Sequence, residues 1–290
     1  MILGLLPVAF ILLSCGDGGI AEPTAMNASL RSTKTSLIVA VRKNDFAAVK
    51  GLLSKGANPN VKNAAGSPIL CVAAGGGYTA IVAALLEAGA DPNAKNADLE
   101  TPLHATTKTE IARLLLKKGA DPNVADANGH TALIGAAMTD DAKLTEVLLK
   151  AGANPRAATA RGETALHWAA GNASIAIAEM LLERGVLVDA RDWGGMTPLM
   201  RAVGPRNQAQ RQLQIGMVKY LISKGATVNA KMDQTRIEYF GAGVAGDKEA
   251  MKRIEESGKL LVLREDGPSV LKGVEDEEIR TILRKAGARE

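Results

Sequence analysis

The chain has 290 residues, of which 47% are hydrophobic, 23% charged and only 3% aromatic, with a formal net charge of +4. An interior poor in aromatic residues and dominated by alanine and leucine requires closely packed helices, in one large domain or two small ones. Two cysteines are too few for a disulfide scaffold, and basic residues interleaved with acidic ones predict solvated helix faces and no nucleic-acid binding.

The N-terminus begins with an apolar run of about fourteen residues, MILGLLPVAFILLS, that ends at Cys15. A bilayer-spanning helix needs about 20 residues, so the run is typical of a signal peptide. The sequence LLSC ending at Cys15 resembles the bacterial lipobox, which implies cleavage before Cys15 and a diacylglycerol on its sulfur. No Lys or Arg precedes the run, unlike the usual basic start. Residues 1–14 are predicted to be a lipoprotein signal peptide; the alternative is a merely apolar or buried N-terminus.

Residues 15–32 are small, polar and rich in glycine, which predicts a flexible tether. Residue 16 is Gly and not the Asp that retains some lipoproteins in the inner membrane. The predicted location is therefore the bacterial cell envelope, facing the periplasm and lipid-anchored through Cys15, with the outer membrane favoured over the inner.

The rest of the chain is built from a recurring element, seen as KGANPN (55–60), AGADPN (88–93), KGADPN (118–123), AGANPR (151–156), RGVLVD (184–189) and KGATVN (224–229). Fainter copies contain Gly258 and Gly287. A second element runs ahead of each copy, as in TPLHAT (101–106), TALHWA (164–169) and TPLMRA (197–202). Most copies are 33 residues apart.

This period and the T-P-L-H motif resemble the ankyrin repeat over about residues 30–290. The resemblance implies an all-α solenoid of about eight stacked helix-turn-helix units joined by hairpin turns. The repeat domain is predicted over 33–290, with six clear repeats in 33–230 and degenerate capping repeats in 231–290. Residues 30–60 are expected to be a polar cap at the first end.

The threonine that opens each motif is suited to cap a helix, and the glycine that closes each unit suits a left-handed turn. In the family, the histidine bridges backbone and threonine hydroxyl groups between repeats. Ile38, Cys71, Ile134 and Met200 replace it in other units, so no catalytic role is expected. The predicted structural motif residues are Thr101, His104, Thr131, Thr164, His167 and Thr197. Cys71 is expected to be a small buried filler.

Two units change length: the third lacks three residues after TPLHATT, and the sixth gains seven within 201–221. Insertions in repeats map to surface loops, often on the binding face, although long surface loops are also tolerated without a function. The loop predicted over 204–214 contains Arg206 and Asn207.

Ankyrin repeats bind proteins through their hairpin tips and the concave side of their first helices. On that side, most units carry a small residue after the histidine position, but the fifth and sixth carry Trp168 and Arg201, with Trp193 in the hairpin between them. Trp and Arg dominate binding hot spots. The predicted contact patch is Trp168, Trp193, Arg201, Arg206 and Asn207; the alternative is that the tryptophans pack on neighbouring repeats.

No catalytic motif and no Cys/His cluster suited to a metal occurs, so no enzyme activity and no cofactor are expected. The predicted function is a membrane-anchored adaptor or scaffold, monomeric, that binds a protein partner of unknown identity. The alternatives are a periplasmic immunity protein that neutralises a secreted toxin and an effector that binds host proteins.

Overall fold

The computed structural model describes residues 36–204, 210–231 and 276–289, together with Leu271 and Val274. These residues form thirteen helices and no β-strand, only isolated bridges in the hairpins. The predicted all-α solenoid is confirmed. In this part of the chain, no helix combines the length and the hydrophobicity needed to cross a membrane.

The helices come in pairs, two to a unit. Residues 36–42 form α1, and the others are α2 (Phe46–Ser54), α3 (Ile69–Gly75), α4 (Thr79–Glu87), α5 (Pro102–Ala105), α6 (Thr109–Lys117), α7 (Ala132–Met138), α8 (Ala142–Lys150), α9 (Ala165–Asn172), α10 (Ile175–Leu182), α11 (Pro198–Ala202), α12 (Arg211–Ser223) and α13 (Glu277–Lys285). Units one to six are the pairs α1–α2 to α11–α12, and α13 belongs to the last described unit.

Local sequence explains where these helices begin and end. Asp45 and Asp141 accept hydrogen bonds from the first-turn amides of α2 and α8, as N-cap residues do. The glycine that follows each second helix adopts a positive φ, for example +88° at Gly152, and this left-handed turn directs the chain to the next unit.

From α2 onward, each helix packs on its counterpart in the neighbouring unit, first helix on first and second on second. The motif leucine of every first helix is buried in this way: Leu37, Leu70, Leu103, Leu133, Leu166 and Leu199. No pair of helices could bury these side chains alone, so the core is continuous along the stack and the fold depends on contacts between neighbouring units.

A ladder of asparagine side chains joins the turns of successive units. The amide of Asn123 donates to the Gly152 carbonyl (3.1 Å), and its oxygen accepts from the Asn154 backbone N–H (2.7 Å). Asn93 and Asn60 make the same two bonds one and two units earlier. In the fourth unit Arg156 replaces asparagine and donates to the Gly185 carbonyl (3.1 Å).

The ladder also joins unit six to the last described unit. Asn229 of unit six donates to the Gly287 carbonyl (2.9 Å) and accepts from the Arg289 N–H (2.8 Å). Arg211 of α12 pairs with Asp276 beside α13. The unit of Gly287 therefore stacks directly on unit six. The prediction puts a copy around Gly258 between them, and that copy lies outside the described residues.

The length changes of units three and six alter helices as well as loops. Helix α5 has only four residues, whereas α12 has thirteen. The prediction of a surface loop over 204–214 is wrong for residues 211–214, which open α12. Buried Gln214 donates to the carbonyls of Ala202 (2.8 Å) and Gly204 (2.6 Å) at the end of α11, and this pairing holds the first turn of α12 in place.

Replacing Asn123 with alanine is expected to lower the free energy of unfolding by about 1–2 kcal/mol, because two inter-unit hydrogen bonds are lost. Asn128→Ala is the matched control, since Asn128 is equally exposed and its side chain makes no hydrogen bond to the described residues. Urea denaturation followed by circular dichroism measures both. Equal losses in the two variants would show that the ladder adds nothing to stability.

Candidate functional site

The inner edge of the stack is a row of side chains, one from each first helix. Each follows the histidine position and is exposed or half-buried, while the residue after it is buried. From unit one to unit six the row reads Val39, Val72, Ala105, Gly135, Trp168 and Arg201. Large side chains are thus confined to units five and six, next to a stretch with small ones.

Trp168 and Arg201 contact each other across the boundary between these units. The Arg201 guanidinium carbon lies 4.3 Å from the centroid of the Trp168 ring, which is a cation–π stack. The same guanidinium forms an ion pair with Glu163, in the hairpin before α9, and both side chains are largely buried. We call Glu163, Trp168 and Arg201 the Trp168 cluster.

Gly171 makes room for this arrangement. A Cβ added to Gly171, one helical turn after Trp168, would lie 3.4 Å from Cγ of Arg201, so the arginine stem crosses over that glycine. The close approach to Gly171, the Trp168 ring and the Glu163 carboxylate together restrain the Arg201 side chain.

Trp168 is a packing residue in the structure, and its predicted contact role stays a prediction. Its ring is half-buried and packs against the core, yet its Nε1–H is buried and has no hydrogen-bond partner in the described part of the chain. A buried donor without a partner costs free energy at this position.

The stack has open space one unit before Trp168. Gly135 holds the equivalent position in α7, and a Cβ added there would meet no atom within 4 Å. Met138, one turn further along α7, is exposed. Asn172 of α9 donates to the carbonyls of Ala137 (3.0 Å) and Met138 (2.9 Å). These two bonds join α9 to the end of α7 beside the open position. No atom therefore covers the concave surface at Gly135, beside the Trp168 cluster, and we call this open position the recess.

Trp193 lies on the hairpin between units five and six and packs on the preceding hairpin. Its backbone N–H donates to the Arg161 carbonyl (2.9 Å), and its Cδ1 lies 2.9 Å from where a Cβ of Gly162 would be. Gly162 directly precedes Glu163, so the hairpin on which Trp193 packs leads into the Trp168 cluster. Arg206 and Asn207 lie outside the described residues.

The two motif histidines bridge neighbouring units. Nε2 of His167 donates to the Met196 carbonyl of the next hairpin (3.0 Å), so Nδ1 is the acceptor for the Thr164 N–H (3.1 Å) and hydroxyl (2.9 Å). His104 makes the same bonds to Thr101 and to the His130 carbonyl. Burial lowers the pKa of His167, which keeps it neutral in this role.

Other residues occupy the motif where histidine is absent. The hydroxyls of Thr131 and Thr197 accept from the amides of Ile134 (3.4 Å) and Met200 (3.3 Å), so these threonines cap their helices directly. Cys71 is buried, and burial raises the pKa of its thiol to about 12, which makes it a poor nucleophile. The structure thus places these residues in the repeat framework.

Sequence reasoning missed Glu163. Its signal was weak, because a glutamate in a hairpin is ordinary and its partner lies 38 residues away. Among the described residues, no cluster of three or more His, Cys, Asp or Glu could hold a metal ion.

Comparison with protein families gives two matches. A family model of ankyrin repeats in three copies matches residues 70–159 and 140–232, and a model of a single ankyrin repeat matches residues 34–64. The matches cover more than half of the chain and include the Trp168 cluster. No curated protein matches the chain.

Proposed function

The chain belongs to the ankyrin-repeat family, and we propose that it acts without catalysis, as an adaptor that binds a protein on the concave surface of units four to six. Ankyrin repeats are protein–protein interaction modules, so a protein partner is the expected ligand. The single observation that selects this part of the surface is the recess over Gly135 beside the Trp168 cluster.

The chemistry of the cluster supports this choice. Trp and Arg dominate binding hot spots, and here both are held in place before a partner arrives, which lowers the entropy lost on binding. The Arg201 charge is already paired with Glu163, so the surface beside it offers a ring edge, the exposed Met138 and bare helix backbone. A partner that inserts an apolar or aromatic side chain over Gly135 fits this surface best.

Gly135→Leu tests the proposal by filling the recess from within. Gly135 is helical and has open space at its Cβ, so leucine is expected to fold normally, and Gly135→Ala to gain up to about 1 kcal/mol in helix stability. Crosslinked affinity capture from membranes, read by mass spectrometry, compares both variants with the wild type. We expect one stoichiometric partner that the alanine variant keeps and the leucine variant loses.

The matched control is Val72→Leu, which enlarges the equivalent position of unit two and should leave capture unchanged. A partner captured equally by Gly135→Leu contradicts binding at this recess. A toxic partner would identify an immunity protein, and a host protein would identify an effector. Another envelope protein would identify an adaptor.

The proposed location rests on the N-terminal sequence, which lies outside the described residues. The apolar run before Cys15 and the LLSC motif support a lipid anchor in the bacterial envelope, facing the periplasm, with the outer membrane favoured. A monomer held in this way presents its concave face freely.

Cys15→Ala is expected to abolish incorporation of labelled palmitate and to release the chain from the membrane fraction. Cys71→Ala is the control, because the Cys71 thiol is buried and should not carry lipid. Labelling that survives in Cys15→Ala contradicts the lipoprotein proposal.

A further inference from the structure

The first end of the stack carries an apolar groove. It has a volume of about 560 Å³ and lies between α1 and α2. Val39, Ala40, Ala48 and Leu52 form its apolar floor, and Ser36, Lys43, Asp45 and Lys55 also line it. The sequence predicted a polar cap here, and the charged residues of that cap border the apolar floor. Arg42, Lys43, Asn44 and Asp45 are exposed around the turn that joins the two helices, and Lys43 and Asp45 also line the groove.

The equivalent surface of unit two is covered by a neighbouring unit, whereas no described unit covers the groove. Ala73, Ile81 and Leu85 correspond to Ala40, Ala48 and Leu52 at a spacing of 33 residues, and they are fully buried because unit one covers them. Leu52 and Ala48 are only half-buried. Unit one also has Gly51 where unit two has Ala84, so its groove is deeper and can hold side chains from another segment.

The last described helix has a different kind of face. The exposed residues of α13 include Glu277, Arg284 and Lys285, and its apolar residues Ile279 and Leu283 are buried. A charged outer face ends a solenoid in water, whereas an apolar groove at the opposite end needs a cover.

We propose that residues 24–32 of the same chain dock in this groove and insert Met26 and Leu30. Ser36, the first described residue, lines the groove. Leu30 is six residues from Ser36, which is a reach of about 20 Å for an extended chain. A segment tethered this close has an effective concentration in the millimolar range, well above that of a separate partner.

The sequence of the segment fits an apolar groove. Met26 and Leu30 are the only large apolar residues between Ile20 and Leu37, and they are four residues apart. This spacing puts both on one side of a helical turn, and Thr24 after Pro23 is a suitable N-cap for such a turn. The docking does not depend on lipid at Cys15. If the lipid is present, the docked segment shortens the tether to residues 16–23.

Hydrogen exchange of the full chain tests the docking. In Met26→Ser/Leu30→Ser, the amides of α1 and α2 are expected to exchange about tenfold faster than in the wild type, because two buried apolar side chains are lost. Asn27→Ala/Ser29→Ala keeps both apolar side chains, changes the two polar residues that flank them on the same turn and should match the wild type. Amides of α9 should be unaffected in both. Equal exchange of α1 and α2 in all three chains overturns the proposal.

A second variant guards against an indirect effect. Ala48→Asp places a carboxylate in the groove and should expel the segment, so adding Met26→Ser/Leu30→Ser to it should change exchange no further. An unchanged tenfold effect in that background overturns the docking. Wild-type protection that disappears on dilution would assign the groove to a second copy of the chain and would also overturn it.

Discussion

Replacing His167 with alanine is expected to lower the free energy of unfolding by about 3 kcal/mol. The side chain is fully buried, and its loss leaves the Met196 carbonyl and the Thr164 N–H without their partner, in addition to a cavity. The bridge joins units five and six, so their boundary is the weakened part. Urea denaturation followed by circular dichroism measures the loss, with native-state proteolysis to locate it.

His104→Ala is the matched control within the same chain. His104 makes equivalent bonds between units three and four but is only half-buried, so a smaller loss is expected. If His167→Ala loses less than about 1 kcal/mol, the bridge is not a major source of stability at this boundary.

The stability that His167 provides is expected to depend on pH. Burial lowers its pKa in the folded chain, more strongly than the Met196 carbonyl and Asp192 act to raise it. The unfolded chain, with a pKa near 6.5, then binds the proton more readily, so this contribution is present above about pH 6.5 and is lost as the pH falls towards the folded pKa.

The melting temperature of the wild type should therefore fall more between pH 7.5 and pH 5.5 than that of His167→Ala. Parallel pH profiles for the two chains would mean that protonation of His167 is not linked to unfolding in this range.

Trp168→Ala is expected to weaken binding of the partner by at least 2 kcal/mol, about thirtyfold in Kd, because a preorganised aromatic anchor is removed. Stability should also fall, by about 2 kcal/mol, since the ring packs half-buried on the core and supports Arg201. Calorimetric titration with the captured partner and urea denaturation separate the two effects.

Trp193→Ala distinguishes the cluster from its surroundings. Trp193 packs on the hairpin at Gly162, so its loss should cost stability and change affinity little. A double-mutant cycle of Trp168→Ala with Arg201→Ala should show coupling, because the two side chains stack. If Trp168→Ala unfolds the chain, or leaves the affinity unchanged, Trp168 is a packing residue and the proposed surface is wrong.

Much of the fold could be predicted because each unit repeats one local pattern. The threonine caps, the motif leucines and the glycines after the second helices each follow from a few consecutive residues, whose conformation depends little on the rest of the chain. The structural role of His104 and His167 could also be predicted, because four other units have a different residue at this position and a catalytic role was therefore not expected.

The limits of prediction lie where residues far apart in sequence meet. The pairing of Asn229 with Gly287 joins residues 58 positions apart and brings the last described unit against unit six, and no local pattern signals this partner. The extra residues of unit six extend a helix because Gln214 finds the carbonyls of α11, and no local pattern in 201–221 signals that partner.

The sequence by itself determined that this is an ankyrin solenoid and which residues cap, close and bridge its units, because those properties depend on local backbone preference and a regular period. Only the tertiary structure decided that Glu163 and Arg201 hold Trp168 beside the recess at Gly135, and that the first unit ends in an apolar groove. The cluster depends on which side chains neighbouring units bring into contact, and the groove depends on which side chains no described unit covers. Packing between units determines both features.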